Sequence, residues 1–108
     1  MYNSPKYSIQ YAINNLSVDL AYRIAPNYTV EIVDIASKSP GKGAGTVVYN
    51  AFENSLKDLG MKSIFAFTRY KNEKAKRWYE RMGFTSTLVP FYYHDEENYQ
   101  AWLLTKII

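Results

Sequence analysis

Two groups of residues in this chain have the types and spacing to do chemistry: glycines gathered at one bend, and carboxylates on the segment before it. The bend is Ser39-Pro40-Gly41-Lys42-Gly43-Ala44-Gly45-Thr46. Glycine lets a backbone come close to a ligand and take φ > 0 without a Cβ clash. An amphipathic helix is expected to start inside this bend. The first amides of a helix have no intrahelical acceptor, and the helix dipole adds partial positive charge there. A strand, a glycine turn and a helix start, in that order, suit an anion, most often a phosphate. An ordinary strand-to-helix turn is the competing account of the same residues. Upstream, Glu31 shares strand parity with Val33 and Ile35, while Asp34 points the other way unless a bulge intervenes. Asp19 is a third carboxylate. Each is a candidate proton acceptor or a plain surface carboxylate, and a water relay would leave no trace in sequence.

Composition removes several other chemistries. The chain has 108 residues, no Cys and one His. Disulfides, thiolate catalysis and Cys-based metal sites are therefore excluded, and a His-rich metal site is not expected. His94 stands in the acidic stretch His94-Asp95-Glu96-Glu97-Asn98 and is expected to be solvated. The glycine bend is not a Walker A loop, because no Lys-Ser or Lys-Thr pair follows its last glycine at the required spacing. Nor is it a dinucleotide fingerprint, since Thr46 stands where the third glycine belongs. The net charge of +3 is mild. It suits a small anionic ligand and does not call for nucleic acid, which usually meets a denser basic face.

The elements that must hold these residues follow from periodicity. A length of 108 residues with 47% apolar content predicts a single globular domain over residues 1–108. Tyr7 to Ile13 and Leu16 to Ile24 alternate, with Asn14-Asn15 as a turn between them. Tyr28 to Ala36 is a third strand after Pro26-Asn27, which makes an antiparallel meander. From Ala44 the period becomes helical to about Leu59. Val48, Phe52 and Leu59, flanked by Val47, Ala51 and Leu56, lie on one face, and Glu53, Asn54, Lys57 and Asp58 on the other. Gly60 stops that helix. Lys62 to Thr68 is nearly continuous in apolar residues and predicts a central strand buried on both faces, closing a βαβ unit. Asn72 is a helix cap, Gly83 a helix stop, and Ser86 to Tyr93 and Tyr99 to Ile107 are strands. The order βββ-α-β-α-ββ is that of a mixed α/β (α+β) sheet domain. The polar first ten residues do not resemble a signal peptide, and no apolar run reaches membrane-spanning length. A soluble cytoplasmic protein with no membrane attachment is the expectation.

The second half of the chain adds Asn72-Glu73-Lys74-Ala75-Lys76-Arg77-Trp78-Tyr79-Glu80-Arg81-Met82-Gly83-Phe84, of the form N-x-x-A-x-x-[aromatic]-Y-x-x-x-G-F. Together with Gly41-Lys42-Gly43-Ala44-Gly45 and the helix and strand between, it resembles the GNAT superfamily of N-acetyltransferases from about Val30 to Phe84. The resemblance implies acetyl-CoA as cosubstrate, with no metal. Its pyrophosphate is then expected over the backbone amides of Gly41, Lys42, Gly43, Ala44, Gly45 and Thr46. Its pantetheine arm is expected along the strand at Val33 and Ile35, in a wedge where that strand splays from its neighbour. Asn72 would help hold the cofactor. Tyr79 would lie near the sulfur and protonate the departing thiolate, and an amide near Ile35 would face the oxyanion. Glu31 is the first choice of base. The reaction implied is direct attack of a neutral primary amine, on a protein or a small molecule, in a ternary complex.

Other accounts remain. Ala75, Tyr79 and Met82 share a helix face, so Tyr79 also reads as core, and Asn72 as a plain cap. Arg69, Lys71, Lys74, Lys76 and Arg77 are either a solvated helix face or contacts to CoA phosphates. Phe91, Tyr92, Tyr93 and Trp102 belong to core, interface or acceptor pocket. Pro40, where the family usually has Arg or Gln, lacks an N–H and a polar side chain, so either phosphate binding is expected to be weaker or Lys38 and Lys42 compensate. The family's first strand and following helix pair have no counterpart, so the acceptor site is expected to be open, suited to a large substrate, or completed in a homodimer. The alternative functions are a non-catalytic acyl-CoA-binding scaffold of the same fold and a nucleic-acid module.

Overall fold

A computed structural model describes residues 4–13, 15–38, 41–91 and 99–108. Pro40, Tyr92, Tyr93 and His94, each given an expectation above, lie outside the described residues. The elements are β1 (Lys6–Ile13), β2 (Leu16–Ala25), β3 (Thr29–Ser37), α1 (Ala44–Asp58), β4 (Ser63–Arg69), α2 (Glu73–Arg81), β5 (Thr85–Phe91) and β6 (Tyr99–Ile107). The strands form one six-stranded sheet in the order β1-β2-β3-β4-β6-β5. The expected mixed α/β class and element order hold. No described helix is long and apolar enough to cross a membrane.

The chain divides into two compact units, Met1–Ile64 with Ile107–Ile108, and Phe65–Lys106. The first unit is the antiparallel meander with α1. β1 pairs with β2 from Lys6 opposite Arg23 to Ile13 opposite Leu16, and β2 pairs with β3 from Val18 opposite Ser37 to Ala25 opposite Thr29. The turns work because asparagine accepts the left-handed region: Asn15 and Asn27 both have φ 64. Tyr28 is there too, at φ 58, a conformation an L side chain disfavours. Its carbonyl accepts a 2.8 Å bond from the Lys62 amide, and the Lys62 ammonium lies 5.4 Å from its ring centre.

α1 buries Ala44, Val48, Tyr49, Phe52, Glu53 and Leu56. Val48 and Ala44 pack with Val18, and Tyr11, Leu16 and Ile35 close around them. Phe52 meets Tyr22 at 5.2 Å between ring centres. Each fully buried apolar side chain of this kind contributes about 1.5–3 kcal/mol. Two expectations are corrected here. Leu59 is 73% exposed, because the helix ends at Asp58 and Leu59 is its cap. Glu53 is buried rather than on the polar face, because Tyr49 Oη donates to its Oε1 at 2.7 Å and Lys57 Nζ lies 3.3 Å from Oε2. Residues 49, 53 and 57 are one helix turn apart each, so the stripe supplies its own polar partners.

The second unit holds most of β4, with α2, β5 and β6. β5 and β6 pair antiparallel from Thr85 opposite Thr105 to Phe91 opposite Tyr99. β4 is buried fully on one face only: Ile64 and Ala66 are buried, whereas Phe67 is 39% exposed. The apolar run therefore overstated its burial. α2 ends at Gly83, φ 97, where a Cβ would come 3.1 Å from Lys106 Cε, and Lys106 Nζ donates to the Met82 carbonyl at 2.7 Å.

Replacing Tyr49→Phe is expected to destabilise the protein by about 1–3 kcal/mol, since a buried carboxylate loses its donor. Chemical denaturation measures it. Tyr11 is held more firmly protonated than an ordinary phenol, chiefly by burial and then by nearby Tyr22. Its native state thus favours the proton. That stability is complete below the phenol's ordinary value of 10.0 and is lost as pH rises through the raised value. Melting curves should show a steeper alkaline loss for the parent than for Tyr11→Phe.

Candidate functional site

The glycine bend opens α1. Gly41 has φ 83 and Gly43 φ 77, so both use the conformation that other residues avoid. Gly43 is the N-cap, and no side chain caps the helix. With nothing but hydrogen on its Cα, Gly43 itself offers the leading amides no side-chain acceptor. A Cβ added at Gly41, Gly43 or Gly45 would meet no described atom within 4 Å. Gly41, Lys42 and Gly43 are exposed, Gly45 and Thr46 half-buried, and Ala44 buried beneath them in the cluster with Val18 and Val48. The Lys38 amide donates to the Ser17 carbonyl at 2.9 Å and ties the strand's end to β2 before the bend begins. The arrangement is a glycine-rich helix start with exposed Lys42 in it, a kind of element that suits an anionic group such as a diphosphate.

β3 brings a bulge to this unit. The pairing of β2 with β3 runs through Ala21 opposite Asp34 and then Tyr22 opposite Ile32, so Val33 has no partner on β2. Tyr22 touches Phe52 of α1, and Ile35, opposite Leu20, packs with the α1 cluster. Val30, Ile32 and Ile35 therefore share the α1 side, with Val33 as the extra residue. The simple parity that joined Glu31 to Val33 and Ile35 does not hold across it. Glu31 and Asp34 instead lie on the same side, away from α1, as do Asp19 and Arg23. Glu31 faces Arg23 across the ladder, its Oε1 3.5 Å from Nη1. Arg23 was missed by sequence reasoning. Its position opposite Glu31 follows from counting back from the 26–28 turn, which was the available signal.

The second motif belongs to the other unit. Asn72 Oδ1 accepts from the Ala75 amide at 3.2 Å, so the residue is a true helix cap. Tyr79 is 7% exposed, its ring against Trp78 at 4.9 Å and Phe84 at 5.1 Å, both edge to face. Its carbonyl accepts from the amides of Met82 and Phe84 at 3.0 Å. Backbone and ring are thus both fixed. The basic cluster is partly committed to its own unit. Lys76 Nζ lies 4.4 Å from the Trp102 ring centre and 3.6 Å from Glu80 Oε2, and Arg77 Nε donates to the Glu73 carbonyl. Lys71 and Lys74 are exposed. Tyr70 stacks on Trp102 at 6.0 Å, which makes Trp102 part of a packed aromatic pair. Among the described residues, no group of three or more His, Cys, Asp or Glu is arranged to hold a metal ion.

These features define a mixed α/β domain whose first helix starts at a glycine with no side-chain cap. Residues 11–84 match the Acetyltransferase (GNAT) family, and the chain belongs to that family. No curated protein matches it in sequence. Among solved structures it is similar to a Bacillus subtilis acetyltransferase in complex with CoA, at 19% identity and TM-score 0.73, over 97% of this chain and 77% of that one. It is similar to the ribosomal-protein-S18-alanine N-acetyltransferase of Escherichia coli, at 17% identity and TM-score 0.74, over 94% and 69% of the two chains. Ard1 from Thermoplasma volcanium is also similar, at 24% identity and TM-score 0.76, over 94% and 70%. At these identities the likeness is one of fold.

Gly43→Ala should cost about 1–2 kcal/mol of stability, because alanine must take a left-handed backbone. Gly45→Ala should instead stabilise by about 0.5–1 kcal/mol, since Gly45 is helical and the new methyl meets open space. Thermal denaturation of the two variants checks the opposite signs.

Proposed function

We propose that residues 1–108 act as one acetyl-CoA-dependent N-acetyltransferase domain that acetylates a primary amine. The family match, which runs through both units, supports treating them together. The observation that carries the reading is the uncapped helix start at Gly43, open above Gly41, Gly43 and Gly45. Backbone amides from Gly41 to Thr46 hold the diphosphate of the acyl donor, and Lys42 adds charge. The bulge at Val33 bends β3 and takes one residue out of the ladder. Backbone groups at Val33 and Ile35 then bond the amides of the pantetheine arm. Asn72, while capping α2, contributes to holding the donor.

The donor supplies an acetyl group activated as a thioester. The amine nitrogen bonds to the acetyl carbon as the carbon–sulfur bond breaks. Tyr79 gives its hydroxyl proton to the sulfur, and Glu31 accepts the proton lost by the amine. A fixed phenol positioned this way contributes about 10²–10⁴-fold, and holding amine and thioester together supplies much of the remainder. Asp34 shares the face of Glu31 and adds to its negative potential, which favours a cationic acceptor before it loses its proton. A cytoplasmic location, where acetyl-CoA is available, is part of this reading.

The test is CoA release with a panel of amines. Tyr79→Phe is expected to lower kcat by about 10²-fold with acetyl-CoA affinity nearly unchanged. An unchanged rate would remove Tyr79 as the acid, and donor binding without turnover on any amine would favour an acyl-CoA-binding scaffold. Gly45→Ala, stable as a fold, is expected to weaken acetyl-CoA binding about tenfold, because its methyl holds an oxygen off the helix amides. Calorimetry reads that loss; full affinity in the variant would move the donor away from the bend.

A further inference from the structure

On the polar side of the meander, away from α1, one row of the ladder carries charges of both signs. Lys6 lies opposite Arg23, and Arg23 lies opposite Glu31. Two cations therefore adjoin, which is unfavourable across a strand pair. Glu31 Oε1 is 3.5 Å from Arg23 Nη1. Among the described residues that long contact is the one bond of the Arg23 guanidinium, and Lys6 has no ion-pair partner. A guanidinium presents a planar fork of N–H donors that grips a carboxylate through two of them. Most of this fork is uncommitted, on a side chain that is 37% exposed.

The neighbouring rows on the same side carry only negative charge. Asp34 stands opposite Ala21, and Asp19 stands between Gln10 and Ala36. Ala21 lies two residues from both Asp19 and Arg23, about 7 Å of strand in either direction. It puts only a methyl group between them. The surface therefore changes from positive at Lys6 and Arg23 to negative at Glu31, Asp34 and Asp19, with a small residue in the middle.

We infer, on the footing that Glu31 serves the acceptor amine as proposed above, that the acceptor is a free α-amino acid whose carboxylate is held by Arg23. The amine meets Glu31, the carboxylate meets the Arg23 fork, and Lys6 adds positive charge. In such a molecule the nitrogen and the carboxyl carbon are two bonds apart, about 2.5 Å. Glu31 Oε1 and Arg23 Nη1 are 3.5 Å apart. Each charge of the zwitterion then faces its opposite without either side chain leaving the row. A plain alkylammonium would find Glu31 but would also stand beside Arg23 and Lys6. A plain anion would find Arg23 but would also meet Glu31 and Asp34. A peptide chain end offers the fork a neutral carbonyl in place of a carboxylate, and that bond is weaker. The arrangement thus selects free amino acids over alkylamines and over protein N-termini.

CoA release from the full chain, measured with alanine, alaninamide and ethylamine, tests this, because the three differ in what stands beside the amine. Alanine should have a kcat/KM about 30-fold above the other two. Arg23→Ala should raise KM for alanine about 30-fold and leave the ethylamine rate nearly unchanged, which also shows that the variant is folded. Arg23→Lys keeps the charge without the fork and should fall between. Equal losses on alanine and ethylamine in Arg23→Ala would make Arg23 a mere support for Glu31 and overturn the inference. So would a parent enzyme that prefers ethylamine or alaninamide. Binding is read separately by NMR. Alanine should shift the amides of Ala21, Arg23, Glu31 and Asp34 in the parent and not in Arg23→Ala; no shift up to the solubility of alanine overturns the inference. Alanine binding of this kind with no amine acetylated would uphold the site and reject the transfer reaction.

Discussion

The seating of α1 on the meander is the contact on which the site depends. Ala44 and Val48 sit against Val18, with Ile35 and Tyr11 at the margin. This is ordinary hydrophobic burial, strong and without direction. Its consequence is directional all the same, because Ala44 is the first residue of the helix. Anchoring it leaves Gly43 and Gly41 exposed, outside the core. A longer side chain at Ala44 would lift the helix start and move every amide that could hold an anion.

The same packing explains why polar groups go where they do. Glu53 is buried with Tyr49, and Tyr49 and Lys57 of its own helix are partners of the carboxylate. On the opposite side of the meander, small residues such as Ala21 and Ala36 separate Asp19, Asp34 and the Arg23–Glu31 pair. One side of β2 and β3 is a core and the other a polar surface. The bulge at Val33 decides which carboxylates share that surface, since one extra residue exchanges the faces for all that follow.

In the second unit the constraint is rigidity at Tyr79. Its carbonyl closes the end of α2, and its ring fits between Trp78 and Phe84. Core packing and a chemical role are two accounts of this residue. They are compatible, because a phenol can bury its ring and keep its oxygen at a boundary. Asn72 combines two roles in the same way, capping α2 whatever else it touches.

Much of this protein was legible in the order of its residues. Alternation between Tyr7 and Ala36, the switch to a helical period at Ala44, and the stops at Gly60 and Gly83 are local signals, so the elements fell within a residue or two of their places. The glycine bend and the Asn72-to-Phe84 pattern were equally local, and they were enough to indicate the family. What the order of residues left open depends on partners distant in sequence. No local pattern announces that Val33 is skipped, since a bulge exists only relative to the opposite strand. The burial of Glu53 required knowing which side of α1 the sheet would cover. The pairing of Glu31 with Arg23 required the register of β2 on β3. Local periodicity chooses each element, but faces, registers and buried charges are settled only when elements meet, because each is a property of two segments and not of one.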